Sequence, residues 1–381
     1  MKIVFISSSA YYNRVRPYGY GGTDSQEYGI SKELVRKGHQ VYIVGNFSLE
    51  QLSECISKGS EINFINIPSP YLFDNFTGDL ASALVLSKKI AKAVRGIKPD
   101  AIIINSRLTG YFPSKLDIPK VFVTHHPDAF DFYRDFAVKS NKLNYFMYPI
   151  KKTIEYDVMK HSSVIIALNN YIHDQVTCMG FEDVRVIPNG ISVNKYFSGV
   201  EKHYILYAGG FRKVKGIEQL IEAYSLLNGD HGYQLVLIGS GKEERRLKKL
   251  VADKKIDKNV IFMPFSKKKV LRKYLSECAV FVLPSLFETF GIVLIEAMAS
   301  YRPVIASDIP GPQNIISNGF DGLLFEKGCV EDLLMNLEKC VSSESLRNRL
   351  GRNARSTAES YYDFTILAQE YEKVIEELIC R

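Results

Sequence analysis

Short apolar runs recur along most of the chain, separated by longer stretches with helical spacing of apolar residues. In the first half they are KIVFISS (2–8), QVYIVGN (40–46), INFINIP (62–68), AIIINS (101–106), KVFVTHH (120–126), SVIIALN (163–169) and VRVIPNG (184–190). In the second half come YILYAGG (204–210), YQLVLIG (233–239), NVIFMPF (259–265), AVFVLPS (279–285) and RPVIASD (302–308). Runs that are apolar throughout suit strands buried on both faces, and their alternation with helices implies parallel sheets. Two such series predict two doubly wound α/β domains. Pro188, Asn189 and Gly190 punctuate the pattern before the strand at Tyr204, so the reading is one domain over 1–197 and a second over 198–362. The tail YYDFTILAQEYEKVIEELICR is a helical pattern after the last strand.

A length of 381 residues agrees with two domains, because single cores rarely grow that large. Hydrophobic content of 46% and charged content of 24% are those of a globular protein. The net charge of +7 suits anionic ligands, an acidic membrane surface or nucleic acid without choosing among them. KEERRLKKL (242–250) and SKKKVLRKYL (266–275) read as solvated helix faces, with a basic surface for lipid or nucleic acid as the lesser reading. No basic stripe interleaved with aromatics stands out, so no nucleic-acid partner is expected. Six scattered cysteines without a CxxC speak for a reducing compartment and against zinc. MKIVFISSSAYYNRV has too short an apolar run for a signal peptide, and no window approaches a membrane span. The expectation is a soluble cytoplasmic protein.

In a doubly wound sheet, ligands bind beyond the carboxyl ends of the strands. After the first strand, Gly19, Gly21 and Gly22 precede a helix, an arrangement open to a phosphate. The spacing is not GxGxxG, and the second strand ends in Gly45 and Asn46 rather than an acid, which argues against a dinucleotide. After Tyr204–Ala208, the residues Arg212, Lys213 and Lys215 cluster ahead of Gly216 and a helix, a setting for a di-anion. PSLFETFGIVLIEAMAS (284–300) predicts a helix from about Phe290 or Gly291, with Glu288 in the loop before it and Glu296 about two turns inside. The free N–H groups around Phe290, Gly291 and Ile292 favour a diphosphate, leaving the carboxylates to accept from hydroxyls on the rings either side. Glu288 is then assigned to the transferred sugar and Glu296 to the ribose. The plainer alternative makes Glu288 a helix cap and Glu296 an exposed helix residue. The pair His125–His126 ends another strand as a ligand or catalytic site, and no third ligand of suitable spacing makes it a metal site.

With these motifs in one order, the chain resembles the retaining glycosyltransferases of the GT-B fold, the "glycosyl transferases group 1" family of the family four type. The resemblance spans nearly the whole chain: PSLFETFGIVLIEAMAS as the Glu-x7-Glu signature, the N-terminal GG loop, RVIPNGISVNKY, YAGGFRKVKG, LVLIGSGKEERRL, PVIASDIPG and DGLLF. It implies two Rossmann-like domains facing a cleft, with the last helix (363–381) returning to the first domain. It also implies retaining transfer of a hexose-type sugar from a nucleotide-diphosphate sugar as co-substrate, with no metal and no other cofactor. Glu288 matches the acid on the donor sugar, Glu296 the acid on the ribose, Lys215 the phosphate lysine, and His125 the active-site histidine, with His126 as the alternative. Gly21 and Gly22 join the donor phosphates, and His126 and Asp128 are acceptor-side candidates. The implied acceptor is a hydroxyl of a glycan, lipid-linked or small molecule, which brings in peripheral contact with the inner membrane face. Two departures stand out. Gly209-Gly210 replaces the family's Gly-Arg, with Arg212 as the substitute, and GPQN leaves Asn314 where the family carries an acid. A nucleotide-sugar epimerase on the same fold and a non-catalytic nucleotide-sugar sensor are the competing readings.

Overall fold

The computed structural model describes residues 1–7, 22–47, 61–68, 76–125, 142–227, 232–265 and 268–381, with the side chains of 22–25, 76–79 and 142–148 excepted. Two compact units divide the chain, one formed by Met1–Pro188 with Phe364–Arg381, the other by Asn189–Asp363. The division falls at Pro188 rather than at 197. Ile191 N–H donates to the Tyr362 carbonyl, and Val193 N–H to Asp363, which ties this stretch to the second unit.

The first unit holds strands β1 (Lys2–Ile6), β2 (Gln40–Gly45), β3 (Asn63–Asn66), β4 (Ala101–Ile104), β5 (Lys120–Thr124), β6 (Val164–Ala167) and β7 (Val184–Val186). They form one sheet in the order β3-β2-β1-β4-β5-β6-β7, parallel throughout. All four residues of β4 and all five of β5 are buried, the pattern expected where helices cover both faces of a sheet. The closing helix Phe364–Ile379 packs on the helix Gly22–Arg36. Gly29 permits that approach, since a Cβ there would run into the Phe364 ring. Glu372 joins Lys37 at 2.6 Å and His39 at 2.7 Å, and the Lys37 hydrogen bond leads the effects that lower its pKa.

The second unit holds β8 (Tyr204–Ala208), β9 (Gln234–Ile238), β10 (Val260–Met263), β11 (Val280–Leu283), β12 (Val304–Ser307) and β13 (Leu323–Phe325). Their order is β10-β9-β8-β11-β12-β13, again all parallel. The two-domain parallel α/β reading is borne out. Among the described strands, β13 alone escaped the apolar-run reading; Leu323–Phe325 is closed in by Asp321 and Gly322 before it and by Glu326 and Lys327 after it. In each sheet the order reverses once, between β1 and β4 and between β8 and β11. Such switch points open the crevice where doubly wound sheets take ligands. Among the described residues, no helix is long and apolar enough to cross a membrane.

Candidate active site

The loops after β8 and β11 leave the same switch point and are fastened to each other. Leu286 N–H donates to the Val214 carbonyl at 2.8 Å. Gly216 closes the short 3-10 turn Lys213–Lys215 in the left-handed region (φ 63°). A Cβ at Gly216 would overlap the Pro284 carbonyl oxygen, so this glycine is needed twice, for its backbone angle and for close approach.

Lys215 and Glu288 meet at this junction, Nζ to Oε2 at 2.6 Å, with side chains 14% and 15% exposed. The contact is an ammonium–carboxylate pair largely withdrawn from water, where charge interactions are stronger than on a surface. Beneath them the Tyr207 hydroxyl donates to the Gly210 carbonyl at 3.2 Å. Burial, and then the charge of Glu288, hold its phenol protonated far above the usual range, while Arg212 pulls the other way. Arg212 itself is exposed ahead of the turn. The structure therefore brings Arg212 and Lys215, after β8, and Glu288, after β11, to neighbouring strand ends.

The helix runs Ile292–Ala299 with Gly291 as N-cap at φ 100°. No side chain caps it and its first turn holds no acid. The alternative reading of Glu288 as a cap is thereby set aside, since its carboxylate pairs with Lys215. Glu296 is the fifth residue of that helix, just over one turn in rather than two. It is not exposed either: 7% of its surface is accessible, and Oε1 accepts from the Tyr196 hydroxyl at 2.8 Å. Tyr196 is 8% exposed, and the Arg272 guanidinium lies 5.7 Å from its ring centroid. Burial, then the neighbouring Glu296 charge, raise the Tyr196 pKa well above its ordinary value, so the phenol stays a donor. Phe290 is buried edge-on against Tyr362, so its side chain is not open to a ligand.

Tyr196 and Tyr207 were missed by sequence reasoning. Both look like core aromatics, and Tyr196 finds its partner 100 positions away. Tyr196→Phe leaves Glu296 Oε1 without its donor in a buried setting. Hydrogen bonds to charged groups are worth about 1.5–3 kcal/mol. A Tm lowered by several degrees in a thermal melt is expected, and an unchanged Tm would contradict the bond. Asn314, at the family's acid position, turns its amide onto the Pro310 carbonyl at 2.6 Å. The neighbouring Gly311 lies against the Glu288 backbone, where a Cβ would sit 2.5 Å from its carbonyl oxygen.

In the first unit, His125 follows β5 and its Nε2 lies 3.5 Å from Asn105 Oδ1 at the end of the adjacent β4. Asn105 is 8% exposed, and its Nδ2 has no hydrogen-bond partner among the described residues. Gly22 opens the helix Gly22–Arg36. Gly21, His126 and Asp128 lie outside the described residues. Among the described residues, no three His, Cys, Asp or Glu side chains group as a metal site.

Known proteins match both units. The family described as "Glycosyl transferases group 1" matches residues 191–357, and "Glycosyltransferase Family 4" matches 20–195. An uncharacterized glycosyltransferase of Methanocaldococcus jannaschii is 27% identical over 265 residues, covering 70% of each chain. Among solved structures, sucrose-phosphate synthase of Thermosynechococcus elongatus superposes with a TM-score of 0.81 at 19% identity, covering 100% of this chain and 99% of that one. The Anabaena protein HepE, solved with UDP and glucose, gives 0.74 at 16% identity over 99% and 100% of the two chains.

Proposed function

The chain belongs to the group 1 glycosyltransferases of the GT-B fold, and from that premise we propose that it moves a sugar from a nucleotide-diphosphate donor to an acceptor hydroxyl with retention of anomeric configuration. The observation that carries the donor assignment is the Lys215–Glu288 pair spanning the loops of β8 and β11. Breaking the anomeric bond leaves negative charge on the departing phosphate and positive charge on the sugar. Preorganised cations and amides at the leaving group lower that barrier most. Lys215, Arg212 and the uncapped start of Ile292–Ala299 fill this role. Before a donor arrives, Lys215 is held by Glu288. A diphosphate draws the ammonium away and frees the carboxylate to accept from a sugar hydroxyl. Glu296, anchored through one oxygen by Tyr196, offers the other to the ribose. His125, beside Asn105 at the strand ends of the first unit, is that unit's candidate for contact with substrate. The acceptor is a glycan, lipid-linked or small hydroxyl compound, and the reaction runs without a metal.

The test is an assay of the full chain with a panel of UDP-, GDP- and ADP-sugars and mixed glycan and glycolipid acceptors. UDP-glucose comes first because HepE was solved with UDP and glucose. Transfer that persists in EDTA and yields the donor's own anomer by NMR is expected. An inverted product, loss in EDTA, or a rearranged donor sugar released without acceptor would overturn the respective part.

A further inference from the structure

The strand β4 is buried at every position, and the next residue, where another aliphatic would pack, is an asparagine. Asn105 is buried as well, with 8% of its surface accessible. Strand register explains which neighbour it meets. Ile6 pairs with Ile104, and Ile104 with Phe122, so Ser7, Asn105 and Val123 come level across β1, β4 and β5. Side chains alternate along a strand, and His125, two residues past Val123, returns to the face that Asn105 occupies.

The asparagine is fixed by its own backbone and by the turn after it. Its N–H donates to the Ile6 carbonyl at 3.3 Å. Gly110 N–H then donates to the Ser106 carbonyl at 2.8 Å, and Thr109 Oγ1 to the Ser7 carbonyl at 3.1 Å, so the chain turns back on the strand ends. Gly110 permits this, because a Cβ there would run into the Ile104 side chain and the Ser106 carbonyl oxygen.

The two ends of the Asn105 amide fare differently. Oδ1 faces His125 Nε2 at 3.5 Å, while Nδ2 has no hydrogen-bond partner among the described residues. No other buried side-chain amide nitrogen among the described residues is left so. A buried donor without a partner is destabilising, so an asparagine kept for the core alone would engage both ends. Here only the end toward the histidine is engaged. An amide oxygen can only accept, so the contact places a proton on Nε2 and settles the tautomer of the neutral ring.

We propose that Asn105 is a positioning residue for sugar transfer, whose amide oxygen fixes the rotation and tautomer in which His125 meets substrate. The proposal rests on the reading of His125 as a substrate contact. Asn105 acts through that ring and touches no substrate itself.

Asn105→Leu separates this role from a structural one. Leucine has nearly the same shape, and His125 is partly exposed, so water can replace the lost acceptor. The Tm of N105L should hold or rise, while transfer in the panel of UDP-, GDP- and ADP-sugars slows about 10- to 100-fold. N105D keeps an acceptor for Nε2–H without the amide nitrogen and should retain most of the native rate. In H125A, itself slowed, adding N105L should slow transfer no further. All variants are assayed at a temperature where each is folded. Native turnover in N105L would make the asparagine an ordinary core residue. Equal losses in N105L and N105D would give the role to the amide nitrogen, and additive losses in H125A/N105L would uncouple the two residues. Each of these overturns the proposal. Native turnover in H125A would instead remove the histidine from the site, and the proposal would fall with the reading beneath it.

Discussion

Replacing Lys215 with alanine is expected to slow sugar transfer about 100- to 1,000-fold, the usual cost of removing one preorganised donor from a developing anion. The loss should fall on kcat more than on KM, because the departing phosphate carries its extra charge only as the bond breaks. Lys215→Ala also leaves Glu288, 15% exposed, without its cation. That part of the effect is separable. In K215A/E288A the uncompensated carboxylate is gone, so any stability lost by the single variant should return while transfer stays impaired. Steady-state kinetics and thermal melts of the three variants make the comparison. Native kcat in Lys215→Ala, with the protein folded, would remove the lysine from the leaving group.

Gly216→Ala is expected to disturb both the fold and the chemistry. The left-handed backbone (φ 63°) costs a non-glycine residue about 1–2 kcal/mol. The added methyl also collides with the Pro284 carbonyl oxygen, and that contact involves backbone on both sides. Relief requires the β8 and β11 loops to part, which moves Lys215 from Glu288 and weakens the Leu286–Val214 hydrogen bond. A total destabilisation above about 2 kcal/mol follows, seen as a Tm several degrees lower. Activity should remain depressed at temperatures where the variant is fully folded. A variant with native Tm and native turnover would show that the two loops tolerate separation, and the switch-point account would fail.

Much of this arrangement was legible beforehand, for identifiable reasons. Parallel strands buried on both faces leave unbroken apolar runs, so twelve of the thirteen strands among the described residues are placed from periodicity alone. β13, Leu323–Phe325, has Asp321 and Gly322 on one side and Glu326 and Lys327 on the other, so no apolar run marks it. Glu288 and Glu296 announced themselves as acids in apolar surroundings. Their real settings differ from the first picture, however. Glu296 lies only one turn into its helix and is buried, and Glu288 faces a lysine. Whether an acid in a loop caps a helix or pairs with a cation depends on what the neighbouring strand's loop delivers, and no local pattern records that.

Pattern along the chain, then, was enough to establish two parallel α/β units, the strand ends at which chemistry gathers, and the residue types waiting there. These follow from near-neighbour constraints: side-chain alternation, helix periodicity, and glycine where backbone must turn or approach closely. Pairings across long separations came only from the folded chain. Lys215 meets Glu288 across 73 positions, Tyr196 meets Glu296 across 100, and the final helix, whose return the family resemblance implies, is seated by Gly29 and by the Lys37–Glu372 pair. Each depends on the order in which strands lie side by side. That order is set by packing over the whole sheet rather than by any segment of it.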